Sequence, residues 1–317
     1  MSKAPPLDTT SRYIEANDLR FHVLMAGTGD PVLFLHGFPD HAATWKGLMG
    51  QLAHHFHVIA PDQRGYNLTS RPEELESYRT DLLVADMIAL LDAMNLKQVT
   101  ICGHDWGGII AFHLAMRHPD RVNRLIILNS VHPYIFQDRI WDDPKQRQAS
   151  QYFGQMLAGK PPAIFSEENC ETLIENWFAG PLADGQITLE DIEIYRAAWT
   201  RPGVWQAMIN WYRASGYNVP RPGEASPETR WTSGLDYKVE QPVLLLWGEE
   251  DRVFVRDLAT DLAAHTKDLS IKWLEGVGHA PQRTVPDRCA REIITFLSTT
   301  PPNVTNNLAH KNGINSA

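Results

Sequence analysis

The segment Val99-Thr-Ile-Cys-Gly-His-Asp-Trp-Gly-Gly108 has the form Gly-x-nucleophile-x-Gly, where an apolar run meets a helical pattern that continues through Met116. The outer glycines permit close packing around a strained strand-to-helix turn, and such a turn lifts the central side chain into a cavity. Serine is the usual occupant; here it is Asp105. A carboxylate is already ionised at neutral pH and needs no general base to become a nucleophile. Its attack on a carbon that bears a leaving group gives an alkyl ester on the enzyme.

An aspartate that merely caps a helix would leave the same local pattern, so the context decides. His36-Gly-Phe-Pro39 follows one apolar run and offers the N–H of Phe38 to an oxyanion hole shared with the N–H of Trp106. Gly248-Glu-Glu-Asp251 follows another run, and Gly276-Val-Gly-His279 follows the last. Catalytic groups gather at the carboxyl ends of parallel strands, where all four segments fall. Nucleophile, acid and histidine also stand in the chain order expected of such a triad. His279 can take a proton from water near neutral pH, where carboxylates are weak bases. Asp251 would hold the imidazole in the right tautomer and stabilise its cation. Glu249 and Glu250 compete for that role; Asp251 is preferred because its position after Gly248 matches the motif described below. Asn129, at the end of a further run, cannot ionise, so that alternative place for the acid reads as empty.

These groups need a scaffold. The runs Pro31 to Leu35, His57 to Ala60, Val99 to Gly103, Arg124 to Asn129, Pro242 to Trp247 and Ser270 to Leu274 alternate with helical patterns, which predicts a parallel sheet covered by helices. Several are apolar throughout, as strands buried on both faces should be. Tyr13 to Glu15 and Arg20 to Met25 flank Asn17-Asp18, which predicts a hairpin leading into the sheet. Leu83, Met87, Leu90, Leu91 and Met94 share one helical face after the start signals Thr80 and Asp81. From about His132 to Glu240 no core strand is predicted, and the stretch is far longer than an ordinary crossover. It is helix-like and carries six of the ten tryptophans, Trp141, Trp177, Trp199, Trp205, Trp211 and Trp231, and reads as a helical lid inserted into the core.

The 317 residues are 43% apolar and 21% charged, an ordinary globular composition. A formal charge of −9 argues against a nucleic-acid partner, which needs a surplus of Lys and Arg. Cys102, Cys170 and Cys289 give neither a disulfide framework nor zinc-ligand spacing, and read as thiols in a reducing compartment. The start, Met1 to Arg12, is polar and not a signal peptide, and no apolar run approaches the roughly 18 to 20 residues of a membrane helix. The expectation is a cytoplasmic protein with no membrane partner; a homodimer is left open.

At this point the sequence resembles the α/β-hydrolase superfamily and, within it, the epoxide hydrolases of the aspartate-nucleophile branch. The resemblance covers about Tyr13 to Leu297 and rests on His36-Gly-Phe-Pro39, Gly103-His-Asp-Trp-Gly-Gly108, Trp247-Gly-Glu-Glu-Asp251 and Gly278-His279. It implies an α/β-hydrolase fold: a mostly parallel central sheet flanked by helices, with an inserted helical cap. The implied division is a flexible segment 1–12, a core of 13–131 and 241–298, a cap of 132–240 and a disordered tail 299–317. Epoxide hydrolases of this kind use two lid tyrosines to hold the epoxide oxygen. Asn210-Trp-Tyr-Arg-Ala214 is similar to the motif around one and points to Tyr212; Ala149-Ser-Gln-Tyr152 is similar to the other and points to Tyr152, with Tyr134, Tyr195 and Tyr217 as substitutes.

The resemblance thus implies a hydrolase acting on ether bonds. Asp105 opens a small apolar or aromatic epoxide, Tyr152 and Tyr212 stabilise the departing oxygen, and His279 with Asp251 activates water against the ester. Phe38 and Trp106 supply the oxyanion hole, and Phe38, Trp106 and Trp211 are expected to contact the substrate. No metal or organic cofactor is needed. Haloalkane dehalogenases share the Asp elbow and the Trp106-like donor, but need a second halide donor, such as Asn in the place of Phe38 or a lid Trp. Fluoroacetate dehalogenases place Arg beside the nucleophile, where Trp106 and Ile109 stand here, and the sequence shows no charged partner for an acid substrate. A receptor without turnover and a biosynthetic cyclase or lyase are the remaining readings. After His279 the sequence departs from the family with Ala280-Pro281-Gln282, where an aromatic is common; the lost bulk either enlarges the pocket or shifts the loop.

Overall fold

The computed structural model describes residues 9–301. Strands β1 (Thr10–Ala16), β2 (Leu19–Ala26), β3 (Pro31–Leu35), β4 (His57–Pro61), β5 (Val99–His104), β6 (Val122–Leu128), β7 (Val243–Gly248) and β8 (Leu269–Leu274) form one sheet in the order β1-β2-β4-β3-β5-β6-β7-β8. The strands from β3 onward pair parallel, and β2 runs antiparallel to both β1 and β4. Every predicted run lies within one of these strands or overhangs it by a single residue. Asn17 and Asp18 both take positive φ (49° and 59°), the conformation a two-residue hairpin turn needs and that Asn and Asp tolerate. The expected flexible segment 1–12 is corrected in part, because Thr10 to Arg12 pair with Met25 to Val23 in β1. Residues 1–8 of that segment and most of the expected tail 299–317 lie outside the described residues; Thr299 closes the last helix.

Side chains alternate across the sheet with period two. Leu33, Leu35, Ile101, Leu125, Ile127 and Leu245 enter one apolar cluster, while Val32, Phe34, Cys102, Ile126, Leu128 and Leu244 enter the other. Burial on both faces explains why these strands read as continuous apolar runs. Helices α1 (Lys46–Leu52), α2 (Thr80–Ala93) and α3 (Trp106–Arg117) cover the sheet, the first through Leu48, Met49 and Leu52 and the second through Leu83, Met87, Leu90 and Leu91. Thr80 begins α2, and Asp81 sits in its first turn, where a negative charge favours the helix dipole.

Between β6 and β7 the chain runs through α4 (Pro133–Asp142), α5 (Pro144–Ala149), α6 (Gln151–Leu157), α7 (Cys170–Ala183), α8 (Leu189–Trp199) and α9 (Val204–Arg213), with no strand among the described residues. These helices form the inserted cap. Its aromatic side chains bind it to the core through specific bonds: Trp199 Nε1 donates to the Pro39 carbonyl (2.7 Å), Trp211 Nε1 to the Arg64 carbonyl (2.9 Å) and Tyr195 Oη to Asp40 (2.6 Å). Arg64 is itself fixed by Asp86, to which it donates through Nε and Nη2. After β7 come α10 (Asp257–Asp261), then β8, α11 (Pro281–Thr284) and α12 (Pro286–Thr299), the last burying Cys289, Ile293 and Phe296 against the second cluster. No helix among the described residues is long and apolar enough to cross a membrane.

Candidate active site

Asp105 follows β5 and precedes α3 with φ 50° and ψ −122°, a strained backbone for any residue with a side chain. The turn closes only because its neighbours lack Cβ atoms. A Cβ on Gly107 would stand 2.0 Å from the Leu35 carbonyl oxygen, and one on Gly37 would stand 2.3 Å from the Asp105 side chain. Ser130 Oγ donates to the Asp105 carbonyl (2.6 Å) and braces the bend. The carboxylate then divides its work. Oδ1 accepts the Phe38 N–H at 2.8 Å, while Oδ2 faces His279 Nε2 at 3.6 Å. The Trp106 N–H begins α3 and belongs to the donors that a helix leaves without intrahelical acceptors.

His279 follows β8, and its Nδ1 meets Asp251 Oδ2 at 2.9 Å. Asp251 Oδ1 accepts from the N–H groups of Val253 (2.7 Å) and Phe254 (3.2 Å). Asn129, at positive φ after β6, donates Nδ2 to Asp251 Oδ2 (2.7 Å) and accepts from the Gly248 N–H (2.7 Å). The place that read as empty therefore holds a side chain that binds Asp251. Glu249 pairs instead with Arg256, and Glu250 is exposed. Burial disfavours a charged ring at His279, but Asp251 and Asp105 outweigh it and raise its pKa to about 10. Burial likewise opposes ionisation of Asp251, and the imidazole with its hydrogen bonds still holds it below the usual carboxylate range.

A cavity of ≈ 450 Å³ lies over this group. Asp105, His279, Phe38, Tyr152 and Tyr212 line it, together with the apolar Phe165, Trp177, Pro181 and Val253. Burial raises both tyrosine pKa values, and the charge of Asp105 adds to the effect, so both phenols remain proton donors through the neutral range. A larger hollow (≈ 720 Å³) around Arg230 and Lys238 holds none of these residues.

Some expectations need correction. Trp211 does not contact the cavity: its indole is spent on Arg64, and its ring packs on Tyr66 and Trp106. The Trp106 ring packs against Tyr212 and is not among the lining side chains either. Of the substitute tyrosines, Tyr195 bonds to Asp40, and Tyr134 and Tyr217 belong to an aromatic cluster with Trp231. Ala280 lines the cavity, and His279 still meets both Asp251 and Asp105, so the missing aromatic does not part the histidine from its partners. A charged group does reach the cavity wall, namely Arg283, which stands four residues beyond His279 in the sequence.

His104 also lines the cavity, and sequence reasoning missed it. Burial, with the neighbouring His279, lowers its pKa to about 4, so the ring is neutral. Gln282 Nε2 donates to its Nδ1 (3.1 Å), which leaves Nε2–H to donate to the His279 carbonyl (2.8 Å). The arrangement as a whole sets a carboxylate oxygen, an imidazole and two phenols around one enclosed space. It suits attack on an electrophilic carbon, with proton donation to the group that departs.

Residues 30–162 match the model of the α/β hydrolase fold family. The chain is 34% identical over 292 residues to the AB hydrolase superfamily protein YfhM of Bacillus subtilis (strain 168), covering 90% of this chain and 97% of that one. It is 31% identical over 298 residues to human epoxide hydrolase 4, covering 91% and 79%. A solved mutant epoxide hydrolase from Bacillus megaterium, complexed with its product (R)-3-[1]naphthyloxy-propane-1,2-diol, superposes with a TM-score of 0.80. The identity there is 28%, over 90% of this chain and all of that one.

Proposed function

The chain belongs to the α/β-hydrolase superfamily and, within it, to the epoxide hydrolases, and from that footing we propose that it opens an epoxide to a vicinal diol through an ester on Asp105. The observation that carries the proposal is the divided carboxylate of a residue that lines the cavity: one oxygen held by the Phe38 N–H, the other facing His279.

Oδ2 attacks a ring carbon and the C–O bond of the ring breaks. The departing oxygen takes a proton from the phenols of Tyr152 and Tyr212, which stabilise its charge as it forms. The phenolate is reprotonated from the imidazolium of His279. Forming the ester removes the charge of Asp105, one of the groups that hold this proton on His279. The neutral imidazole, oriented by Asp251, then takes a proton from water as the water attacks Cγ. Negative charge develops on Oδ1, which already lies against the Phe38 N–H, with the Trp106 N–H as the second donor. Collapse expels Oδ2 with the diol, whose new hydroxyl takes the proton from His279. The carboxyl group then returns a proton to the ring, which restores the starting state.

Phe38, Phe165, Trp177, Pro181 and Val253 make the cavity suited to a small apolar or aromatic epoxide. For the haloalkane reading, Phe38 has no side-chain donor and the Trp106 ring does not line the cavity, which leaves the lid Trp177 as the one lining indole that could hold a halide. The test is turnover of an epoxide panel beside the His279→Gln variant. Wild type is expected to release diols, and the variant to gain the mass of one intact epoxide on the peptide that carries Asp105. Absence of the adduct with every epoxide that wild type turns over refutes the role of His279.

A further inference from the structure

The cavity wall holds a cation that this chemistry does not use. Arg283, on α11, lines the cavity beside Asp40 and Thr284. A guanidinium carries five N–H donors and stays charged. Only Nη1 meets acceptors, Asp40 Oδ1 at 3.0 Å and Tyr195 Oη at 3.5 Å. Nε is enclosed and out of a ligand's reach, whereas Nη2 is not enclosed and has no acceptor among the described residues. A hydrogen bond from a charged donor is worth more than one between neutral groups, so Nη2 would favour an acceptor brought by a ligand.

The charge around the cavity says which acceptor fits. Asp40 already neutralises Arg283 and is committed further to Tyr195 and Thr44. Asp105, Asp251 and Asp40 set three carboxylates against the two cations His279 and Arg283. A carboxylate on the substrate would enter an already negative environment; a neutral oxygen would not. We propose that Arg283 determines specificity by donating to a neutral acceptor, an ether, carbonyl or hydroxyl oxygen, on the arm of the substrate beyond its epoxide. This assignment rests on the reading of the cavity as an epoxide site. The competing role for Arg283 is a clamp alone, tying cap residue Tyr195 to the core through Asp40.

The experiment compares terminal alkyl epoxides of equal length in which one methylene is replaced by an ether oxygen at successive positions, with a carboxylate-ended analogue as a third arm. kcat/KM is measured for wild type and for Arg283→Lys, which keeps a cation opposite Asp40 but lacks the planar fork. At the best position the ether-to-alkyl ratio is expected to favour the ether in wild type and to fall roughly tenfold or more in the variant, as for a hydrogen bond to a charged donor. Equal loss with both substrates, no position that favours the ether, or preference for the carboxylate overturns the assignment. Calorimetric binding of the corresponding diols reads the same contact without turnover. Arg283-dependent binding of the ether diol with no epoxide turnover would leave the contact standing and sink the hydrolase reading instead.

Discussion

Replacing Asp105 with Asn removes one negative charge 3.6 Å from His279 Nε2 and almost no volume. At that separation the attraction is about 5 kcal/mol for an effective dielectric near 20 and about 1 kcal/mol for that of water. Divided by 1.36 kcal/mol per unit, this lowers the His279 pKa by roughly one to three units. Wild type starts at about 10. The Phe38 N–H requires an acceptor at Oδ1, so the amide turns its NH2 toward the ring, which further favours neutral imidazole. NMR titration of ring-labelled histidines, with His279 assigned by its Gln variant, reads the shift directly. A pH series of denaturant melts adds a second reading. A raised folded-state pKa stabilises the native protein fully below the unfolded value of 6.5, and this is lost as pH rises through about 10. In the Asn variant the loss is expected at lower pH and to be smaller. An unchanged or raised His279 pKa would refute the idea that alkylation of Asp105 turns this imidazolium into a base.

Tyr152→Phe and Tyr212→Phe are each expected to slow alkylation roughly 100- to 1000-fold, as for loss of one oxyanion donor, seen as a fall in the single-turnover rate of ester formation. Asn129→Ala removes the 2.7 Å bond to Asp251 and leaves the Gly248 N–H without its side-chain acceptor. Its expected cost is about 2 kcal/mol in denaturant melts, with ester hydrolysis slowed more than ester formation.

The parts of the site legible in the sequence are those whose chemistry is local. The bend at Asp105 needs glycines at fixed offsets, and strands buried on both faces announce themselves as apolar runs. What stayed hidden depends on distant chain segments meeting. Asn129 looked inert because it cannot ionise, and only the pairing of β6 with β7 brings it to Asp251. Asp40, Tyr195 and Arg283 come from three regions that no spacing connects. Trp211 was misplaced for a simpler reason: neighbours on a helix point about 100° apart, so Tyr212 and Trp211 do not both reach the cavity. Arg283 passed unnoticed because a cation near a histidine reads as surface until the cavity is seen beside it.

The central claim is that the first oxygen added to the substrate belongs to Asp105. Excess enzyme, one turnover of a limiting epoxide and oxygen-18 water test it in a single pass by mass spectrometry. Unlabelled diol with the label in the Asp105 carboxylate is the predicted result. Labelled diol with an unlabelled Asp105 peptide would mean that water attacks the ring directly, and would contradict the covalent route.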